Sequence, residues 1–311
     1  MKKQIAFLAF AALATSCGNG QTPVSSIGGA SAEATSELVS ALDPDYAIPS
    51  DDEIAGKDAN GAQYELANVE TVEDHPLAGK KIYWLGSSVT YGASSGGVSM
   101  AEYLGKKAGL TSVKEAVSGT TLFNDGLTGN TGANSYVNRL IHSKNFSRDD
   151  QIDAFICQIS TNDCTADRLS KRGTMTPEGV EDLDQFDVAT TLGAVEYIIE
   201  YVLETYFCPV YFYSGAYFGD GNNKAMRQNG NPKGSDYGIL VSQVKEIAKK
   251  WDAIGGVRVG VIDLYNDKAF NAAASDAYYA WSTSDPIHPK KAGYLQWWMP
   301  YFEAYLTEEL A

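Results

Sequence analysis

Residues 81–92, KIYWLGSSVTYG, place a serine where an apolar run gives way to a glycine-containing turn. A short run of bulky, β-favouring residues bounded by glycine is typical of a strand that is buried on both faces, as in a parallel sheet. Open parallel sheets bind ligands beyond the carboxyl ends of their strands, which makes Ser88 a candidate nucleophile. Serine and glycine are also ordinary turn residues, so the motif alone leaves a simple turn open.

A serine hydroxyl is a weak nucleophile and needs a base within hydrogen-bond reach as it attacks. The chain has three histidines, of which His288 lies in the segment DPIHP. Asp285, three residues earlier, can curl back to orient the imidazole ring and stabilise its charged form. His75 and His142 are expected to be surface residues. The DPIHP segment could also serve only as the entry to a helix.

The elements that must position these residues alternate between strand and helix from residue 80 onwards, which is the signature of an α/β fold with a parallel sheet. Apolar runs predict strands at residues 81–85, 112–117, 153–159, 209–213 and 257–264. Helical spacing and a proline start predict helices at 99–108, 134–143, 188–206, 235–251 and 290–310. With right-handed crossovers, these elements predict a doubly wound three-layer α/β/α sandwich around a five-stranded parallel sheet.

Four short segments fall at the same edge of this predicted sheet. They are Ser88 after the first strand, Gly119 after the second, Asn162 after the third, and the loop from Asp285 to His288 before the last helix. Each could be a turn or bend residue on its own. Because all four should face the crevice at the carboxyl ends of the strands, their convergence predicts a catalytic site.

In this combination the chain resembles the SGNH, or GDSL-type, esterases and lipases from Lys80 to the C-terminus. The four blocks stand in family order, as Ser88 in GSSVTYG, Gly119 in AVSGTTL, Asn162 in STND and His288 in DPIHP. The resemblance implies a flavodoxin-like sandwich with a Ser88–His288–Asp285 triad. It also implies an oxyanion hole made by the backbone amides of Ser88 and Gly119 and the side-chain amide of Asn162. No cofactor is implied.

Two positions depart from the family pattern. Ser87 stands where most members have aspartate, and Ser160 stands where the third block usually has glycine. Both residues flank the catalytic positions without occupying them. The departures therefore bear on substrate preference more than on activity.

The loops that follow the third and fourth strands would rim this site with polar and aromatic side chains. Tyr91, Tyr217 and Trp281 are the candidate substrate-binding residues, because aromatic rings can stack on sugar rings. The sequence thus favours an esterase that removes acetyl or short acyl groups from a carbohydrate or a similar polar substrate. A lysophospholipase or lipid esterase, and a non-catalytic surface lipoprotein that keeps the fold as a binding module, are the alternatives. No extended apolar lid is visible, which disfavours a long-chain lipase.

Residues 1–17 predict a secretory signal peptide, with two lysines followed by a short apolar run. The small residues before Cys17 resemble a bacterial lipobox, so Cys17 is the candidate lipidation site. Leu13 lies one position earlier than the lipobox pattern prefers, which leaves ordinary secretion open. An extracytoplasmic protein is expected, either a cell-surface or periplasmic lipoprotein held to the membrane by an N-terminal anchor, or a secreted one.

Residues 18–79 predict an acidic flexible linker and entry segment, with a short strand at 64–72, ahead of a hydrolase domain at 80–311. The linker and entry segment hold twelve acidic residues and a single lysine, and account for most of the net charge of −15. No basic face suited to nucleic acid is left. Cys157, Cys164 and Cys208 are too few for a complete disulfide set, and without CxxC or clustered histidines no metal site is expected. The sequence leaves the oligomeric state open.

Overall fold

Five parallel strands form the sheet around which the chain is folded. The structure is a computed structural model and describes residues 58–180, 182–217, 233–267, 270–271 and 287–311. The strands are β1 (Lys81–Gly86), β2 (Thr111–Ala116), β3 (Ala154–Gln158), β4 (Val210–Tyr213) and β5 (Val259–Ile262). They lie in the order β2-β1-β3-β4-β5, with every neighbouring pair parallel. The predicted five-stranded parallel sheet is confirmed.

The carboxyl ends of the strands lie level with one another. Gly86 at the end of β1 pairs with Ala116 at the end of β2. Gln158 at the end of β3 pairs with Tyr213 at the end of β4. The chain runs outward from β1 to β2 and then returns to β3 on the other side, which makes the β1/β3 boundary a topological switch point. Ligands of open α/β sheets bind at such a point, so the backbone that follows β1 and β3 is placed to form a site.

Helices cover both faces of the sheet. They are α1 (Ser88–Tyr91), α2 (Met100–Ala108), α3 (Tyr136–His142), α4 (Thr191–Tyr206), α5 (Lys233–Ile254), α6 (Lys291–Gly293) and α7 (Met299–Leu310), with a π-helical turn, Tyr294–Trp298, between the last two. α2 packs against α7, while α4 packs against both α3 and α5. Right-handed crossovers put these two groups on opposite faces, so the predicted three-layer sandwich is confirmed.

The local sequence explains why these elements form where they do. Residues 82–85 of β1 are fully buried, as expected for an apolar strand with helices on both sides. α2 begins with a capping box, in which Ser99 accepts from the Ala101 N–H and Glu102 accepts from the Ser99 N–H. It ends at Gly109, which adopts a left-handed conformation with φ +67°. The predicted start and end of this helix are therefore confirmed.

The C-terminal helical segment changes geometry in its second turn. Pro300 lacks an N–H, and in an α-helix its ring would clash with the carbonyl of Gln296. The π-helical turn at Tyr294–Trp298 ends two residues before this proline and widens the backbone there. Within the turn, the Tyr294 hydroxyl donates to the Val89 carbonyl at 2.7 Å. This hydrogen bond connects the segment that follows His288 to α1.

The entry segment packs against the domain. It contains 3₁₀ turns at Ala62–Tyr64 and Leu66–Asn68, and its side chains at Ala59, Tyr64 and Leu77 are buried. The strand expected at 64–72 is wrong, because the N–H groups of Tyr64 and Glu65 bond to carbonyls three residues earlier and do not reach a sheet edge. The folded part of the chain therefore includes residues 58–79.

His75 is buried, contrary to the expectation of a surface residue, with 9% of its area exposed. Its Nδ1 accepts the Leu77 N–H at 3.1 Å, which leaves Nε2 to donate to Glu303 at 2.9 Å. Lys107 binds the other oxygen of Glu303 at 2.7 Å. Burial of the imidazole is compensated by these polar partners, which join the entry segment to α2 and α7.

The remaining sequence expectations concern the cysteines and the membrane. Cys157, Cys164 and Cys208 are buried as thiols. Burial raises the pKa of the Cys157 thiol well above its ordinary value, and raises that of Cys208 to about 12. Of the helices in the described ranges, none combines the length and apolar character needed to cross a membrane.

Candidate active site

Ser88 is the first residue of α1 and follows β1 after a single intervening residue. An N–H at this position has no partner inside its own helix. At Gly86, a Cβ would lie 1.7 Å from the Thr90 hydroxyl oxygen, so the close approach of β1 and α1 requires glycine. The side chain of Ser88 is presented at the carboxyl edge of the sheet, with 7% of the residue exposed.

A buried glutamine fixes this strand-to-helix turn. Gln158, the last residue of β3, accepts hydrogen bonds through Oε1 from the Ser87 N–H at 3.0 Å and the Thr90 N–H at 3.1 Å. The Thr90 hydroxyl donates to the same oxygen at 2.8 Å and lies 2.6 Å from the hydroxyl of Tyr213. Because Thr90 has already given its proton to Gln158, Tyr213 is the donor of that second bond. The turn that carries Ser88 is thus anchored to β3 and β4.

His288 and Ser88, which lie 200 positions apart in the chain, are brought together. The Nε2 atom of His288 is 2.6 Å from Ser88 Oγ, which is hydrogen-bond distance for a base and the nucleophile it would activate. Asp285, the predicted third member, lies outside the described residues. Trp281 and Cys17 also lie outside them.

Gly119 follows β2 and adopts a left-handed backbone conformation with φ +81°. A Cβ there would also stand 2.8 Å from the side-chain nitrogen of Asn130. Both the conformation and the available space therefore require glycine. The next residue, Thr120, is fixed by its hydroxyl, which donates to the Val117 carbonyl at 2.7 Å.

Asn162 lies in a 3₁₀ turn, Thr161–Cys164, immediately after β3. Its side-chain nitrogen donates to the Thr120 carbonyl at 3.1 Å. Ser160 donates its hydroxyl to the same carbonyl at 3.0 Å and accepts the Asn162 N–H at 3.1 Å. An amide nitrogen carries two hydrogens, so Asn162 keeps one for a further acceptor at the site. The blocks that follow β2 and β3 are directly bonded to each other.

Comparison with solved structures finds proteins that resemble this chain. A protein from Lactobacillus plantarum superposes with a TM-score of 0.50 at 20% identity, over 75% of this chain and 99% of its own. For a provisionally assigned GDSL-like lipase from Bacteroides ovatus the TM-score is 0.46 at 15% sequence identity, and the match covers 74% of this chain and 99% of the lipase. For a family two carbohydrate esterase from Clostridium thermocellum the TM-score is 0.48 at 14% sequence identity, and the match covers 78% of this chain and 65% of the esterase. No protein-family model and no curated protein matches the chain.

The strand order β2-β1-β3-β4-β5 is that of a flavodoxin-like, doubly wound α/β sandwich. The chain has this fold, which is the fold that its resemblance to the SGNH, or GDSL-type, esterases implies. At these identities a likeness between structures concerns the fold alone, so chemistry has to be argued from the site.

The two departures from the SGNH pattern have different surroundings. Ser160, in place of the usual glycine, uses its hydroxyl to join Asn162 to Thr120. Ser87, in place of the usual aspartate, is fully buried beside Tyr136, and neither hydroxyl makes a hydrogen bond of good geometry to the described residues. Within the described residues, the Ser87 hydroxyl therefore has no bridging role of the kind that Ser160 has.

Asp163, next to Asn162, is a fully buried carboxyl. It accepts the Leu122 N–H at 3.0 Å and the Thr191 hydroxyl at 3.1 Å, and so joins the loop after β2 to the start of α4. Burial raises the pKa of this carboxyl to about 6, against the opposing effect of the hydrogen bonds it accepts. Asp163 is a structural partner of the Asn162 turn that the sequence reasoning did not single out.

Two of the three predicted substrate-binding aromatics lie near this edge of the sheet. Tyr91 ends α1 and is 45% exposed, with the Lys114 ammonium 5.7 Å from its ring centroid. Tyr217 comes four residues after the end of β4, is half-buried, and packs against Tyr265 with ring centroids 5.0 Å apart. Of these two rings, that of Tyr91 is the more exposed.

The loop after β3 is anchored to the helices behind it. Glu196 in α4 is fully buried and accepts from the Thr176 N–H at 2.9 Å and the Thr176 hydroxyl at 2.8 Å. Lys250 in α5 binds both Glu196 and the Thr176 carbonyl. This side of the rim is held in place by buried polar contacts. Within the described residues, no group of three or more His, Cys, Asp or Glu side chains is arranged to hold a metal ion.

Proposed function

We propose that the protein is a serine esterase that hydrolyses acetyl or other short acyl esters. The observation that carries the proposal is the 2.6 Å contact between His288 Nε2 and Ser88 Oγ at the switch point of an SGNH fold. A histidine at this distance can accept the serine proton as the hydroxyl attacks. The glycine and asparagine of the other two blocks lie on loops bonded to each other beside it.

In the acylation step, His288 takes the proton of Ser88 while Oγ attacks the ester carbonyl carbon. The carbonyl oxygen becomes an oxyanion, which the amides of Ser88 and Gly119 and the second side-chain N–H of Asn162 are proposed to bind. Collapse of the intermediate breaks the bond to the alcohol oxygen, and the alcohol leaves with the proton from His288. Asp285 is proposed to orient the imidazole and stabilise its charged form.

Water completes the cycle on the acyl-serine. His288 accepts a proton from the water as its oxygen attacks the acyl carbon, and a second oxyanion forms in the same hole. When this intermediate collapses, the carboxylic acid is released and the proton returns to Ser88. Apart from the ester and water, every group in these steps belongs to the chain.

For the substrate we propose an ester on a carbohydrate or a similarly polar alcohol. Tyr91 supports this choice, because it lies three residues after the nucleophile and keeps 45% of its surface exposed. An exposed, positioned aromatic ring offers a flat apolar face with low conformational freedom, which suits a sugar ring. Trp281 is proposed as a further stacking residue from the sequence alone.

A substrate panel tests the proposal. Hydrolysis rates are measured on p-nitrophenyl acetate, butyrate and palmitate and on acetylated xylan, with Ser88→Ala as the control. We expect rates to fall from acetate to palmitate, acetyl release from the xylan, and loss of labelling by a fluorophosphonate probe in Ser88→Ala. Preference for palmitate would instead indicate a lipid esterase. Inertness on all four esters with Ser88 unlabelled would indicate a binding protein.

We also propose that the protein is an extracytoplasmic lipoprotein anchored through Cys17. The support is the sequence alone, namely a charged start, a short apolar run and small residues before the cysteine. We expect the wild-type protein to sediment with membranes and Cys17→Ser to appear in the soluble extracytoplasmic fraction. Equal distribution of the two proteins would contradict anchoring and favour plain secretion.

A further inference from the structure

Arg139 on α3 is a charged residue at the centre of the fold that the mechanism above does not use. It is 7% exposed, and burial lowers the pKa of its guanidinium below the ordinary value, although arginine stays charged in proteins. Burying such a group is unfavourable unless every N–H finds an acceptor. The identity of its acceptors therefore indicates what this residue does.

Four hydrogen bonds, three of them to backbone carbonyls, and one ion pair hold the Arg139 guanidinium. Nε donates to the Asn134 carbonyl at 2.9 Å, and Nη1 donates to the Glu115 carbonyl at 2.9 Å while lying 3.5 Å from the Glu115 carboxylate. Nη2 donates to the Gly86 carbonyl at 2.7 Å and to the Thr120 hydroxyl at 3.2 Å. One nitrogen thus bridges the end of β1 and the loop after β2.

The bond to Gly86 holds the peptide unit that leads into the nucleophile. The carbonyl of that unit accepts from Arg139, and its N–H, which belongs to Ser87, donates to Gln158 at 3.0 Å. A peptide unit is planar, so fixing its carbonyl and its N–H fixes its orientation. The direction of the following Ser88 N–H depends on this orientation.

The bond to Thr120 holds the residue next to Gly119, whose N–H is the second proposed oxyanion donor. Thr120 follows Gly119 directly, and its hydroxyl is held between Arg139 and the Val117 carbonyl. Its carbonyl is held by Ser160 and Asn162. Arg139 therefore contacts the segments that carry Ser88 and Gly119, and Thr120 connects the second of these to the Asn162 segment.

We propose that Arg139 is a positioning residue that sets the spacing of the oxyanion hole by bridging the Gly86 carbonyl and the Thr120 hydroxyl. The proposal rests on the esterase function proposed above. Lysine at this position keeps the charge but has no planar fork, so it does not reproduce two bonds at fixed angles. Methionine fills similar space without any donor.

The test compares Arg139→Lys and Arg139→Met with Arg258→Lys and Arg258→Met. Arg258 is also held by acidic partners, Asp252 and Glu309, but it precedes β5 at the opposite edge of the sheet. kcat and KM for p-nitrophenyl acetate and the urea midpoint are measured for each protein. Misplacement of reacting groups by about 1 Å can cost about a hundredfold in rate.

We expect kcat to fall about tenfold in Arg139→Lys and about a hundredfold in Arg139→Met. KM should stay within about twofold, because ester binding does not depend on the oxyanion hole before charge develops. The Arg258 variants should keep the wild-type kcat and lose less stability, because the Arg258 side chain is more exposed than that of Arg139. Thr120→Val, which removes only the bridged hydroxyl, should lower kcat in the same way and add little to Arg139→Lys.

The outcomes separate this proposal from the one on which it rests. Folded Arg139 variants with wild-type kcat would overturn it, as would losses that match those of the Arg258 variants at equal stability. If neither Arg139 variant folds, Thr120→Val decides, and an unchanged kcat in that variant counts against the bridge. A wild-type protein that hydrolyses no ester would refute the esterase function itself, and with it this role for Arg139.

Discussion

The side-chain amide of Asn162 is the most directly testable group of the proposed oxyanion hole. One of its N–H groups donates to the Thr120 carbonyl, and the mechanism assigns the other to the oxyanion. Loss of one oxyanion donor usually lowers kcat by about a hundred- to a thousandfold. We expect Asn162→Ala to show this loss on p-nitrophenyl acetate, with a far-ultraviolet circular dichroism spectrum like that of the wild type.

Asn138→Ala is the matched control for that experiment. The Asn138 amide also donates to a backbone carbonyl, that of Ala133 at 2.6 Å, but on the surface at the start of α3. Its loss should leave kcat unchanged. Full ester hydrolysis by Asn162→Ala would remove this residue from the mechanism and leave the oxyanion to the two backbone amides.

The buried carboxyl of Asp163 should make the stability of the fold depend on pH. Burial raises the pKa of its carboxyl from 3.8 to about 6, so Asp163 binds its proton more tightly in the folded protein than in the unfolded chain. A group of this kind stabilises the fold most below its unfolded pKa, and the contribution is lost as the pH rises through the folded value. A difference of about two pKa values corresponds to about 3 kcal/mol.

The measurement is urea unfolding of the wild type and Asp163→Asn at several pH values between about 4 and 7. We expect the wild type to lose about 2 kcal/mol of unfolding free energy relative to the variant over this range, since asparagine does not titrate. Taking the difference between the two proteins removes the contribution of all other groups. Parallel curves would mean that the Asp163 pKa is not raised by burial.

At the scale of single residues, the sequence could place the four family blocks but not the polar residues that support them. Ser88, Gly119, Asn162 and His288 stand in recognisable motifs at strand ends. Gln158 is one polar residue at the end of an apolar strand, which on its sequence alone is an ordinary strand end. Its role depends on the N–H groups of a turn about seventy positions earlier in the chain. Such long-range pairing leaves no periodic signal in the sequence.

At the scale of elements, the turn from β1 to α1 depends on Gly86. A methyl group there would overlap the Thr90 hydroxyl at 1.7 Å and approach Gln158 Oε1 at 3.0 Å. Both neighbours are fixed in a buried hydrogen-bond network, so neither can move cheaply. We expect Gly86→Ala to cost about 3 kcal/mol in unfolding free energy and to abolish fluorophosphonate labelling of Ser88.

Gly105→Ala in α2 is the comparison for the Gly86 variant. Its Cβ would meet the Ser112 side chain at 3.2 to 3.4 Å, a tight but adjustable contact, and alanine favours the helix by about 1 kcal/mol. Labelling of Ser88 should be normal in this variant. A Gly86→Ala protein that folds stably and labels like the wild type would show that the turn can open without loss of the nucleophile.

The elements that the sequence predicted well are those whose burial or capping is local. β1 and β3 are apolar runs that central strands require, and α2 carries its own capping box. The elements that it missed are set by tertiary contacts. The 3₁₀ turns at Ala62–Tyr64 and Leu66–Asn68 follow from packing against the domain, and the π-helical turn from an internal proline.

At the scale of the whole molecule, convergence of the four blocks was predictable, because parallel strands bring their carboxyl ends to one edge. The contacts that hold His288 next to Ser88 could not be predicted from the sequence. The helix after His288 has its first N–H groups bound by the entry segment. Asn60 Oδ1 accepts from Lys291 at 3.0 Å, and the Ala59 carbonyl accepts from Ala292 at 2.9 Å.

From this contact we predict that the entry segment helps to position His288. Asn60 also donates to the Ser94 carbonyl at 2.9 Å, in the loop after α1. One side chain thus connects the loop that follows Ser88 and α1 to the start of the helix that follows His288. We expect Asn60→Ala to cost about 1 kcal/mol, as loss of a helix cap does. Because α6 begins three residues after His288, we also expect kcat to fall about tenfold through displacement of the imidazole.

Asn68→Ala separates these two effects. The Asn68 amide donates to the Ala62 carbonyl at 2.6 Å and holds only the entry segment itself. It should lower stability without lowering kcat, as measured on p-nitrophenyl acetate well below the unfolding temperature of each variant. If both variants lose activity only in proportion to stability, the entry segment supports the fold without positioning His288. A selective loss of kcat in Asn60→Ala would make residues 58–60 a part of the active-site framework.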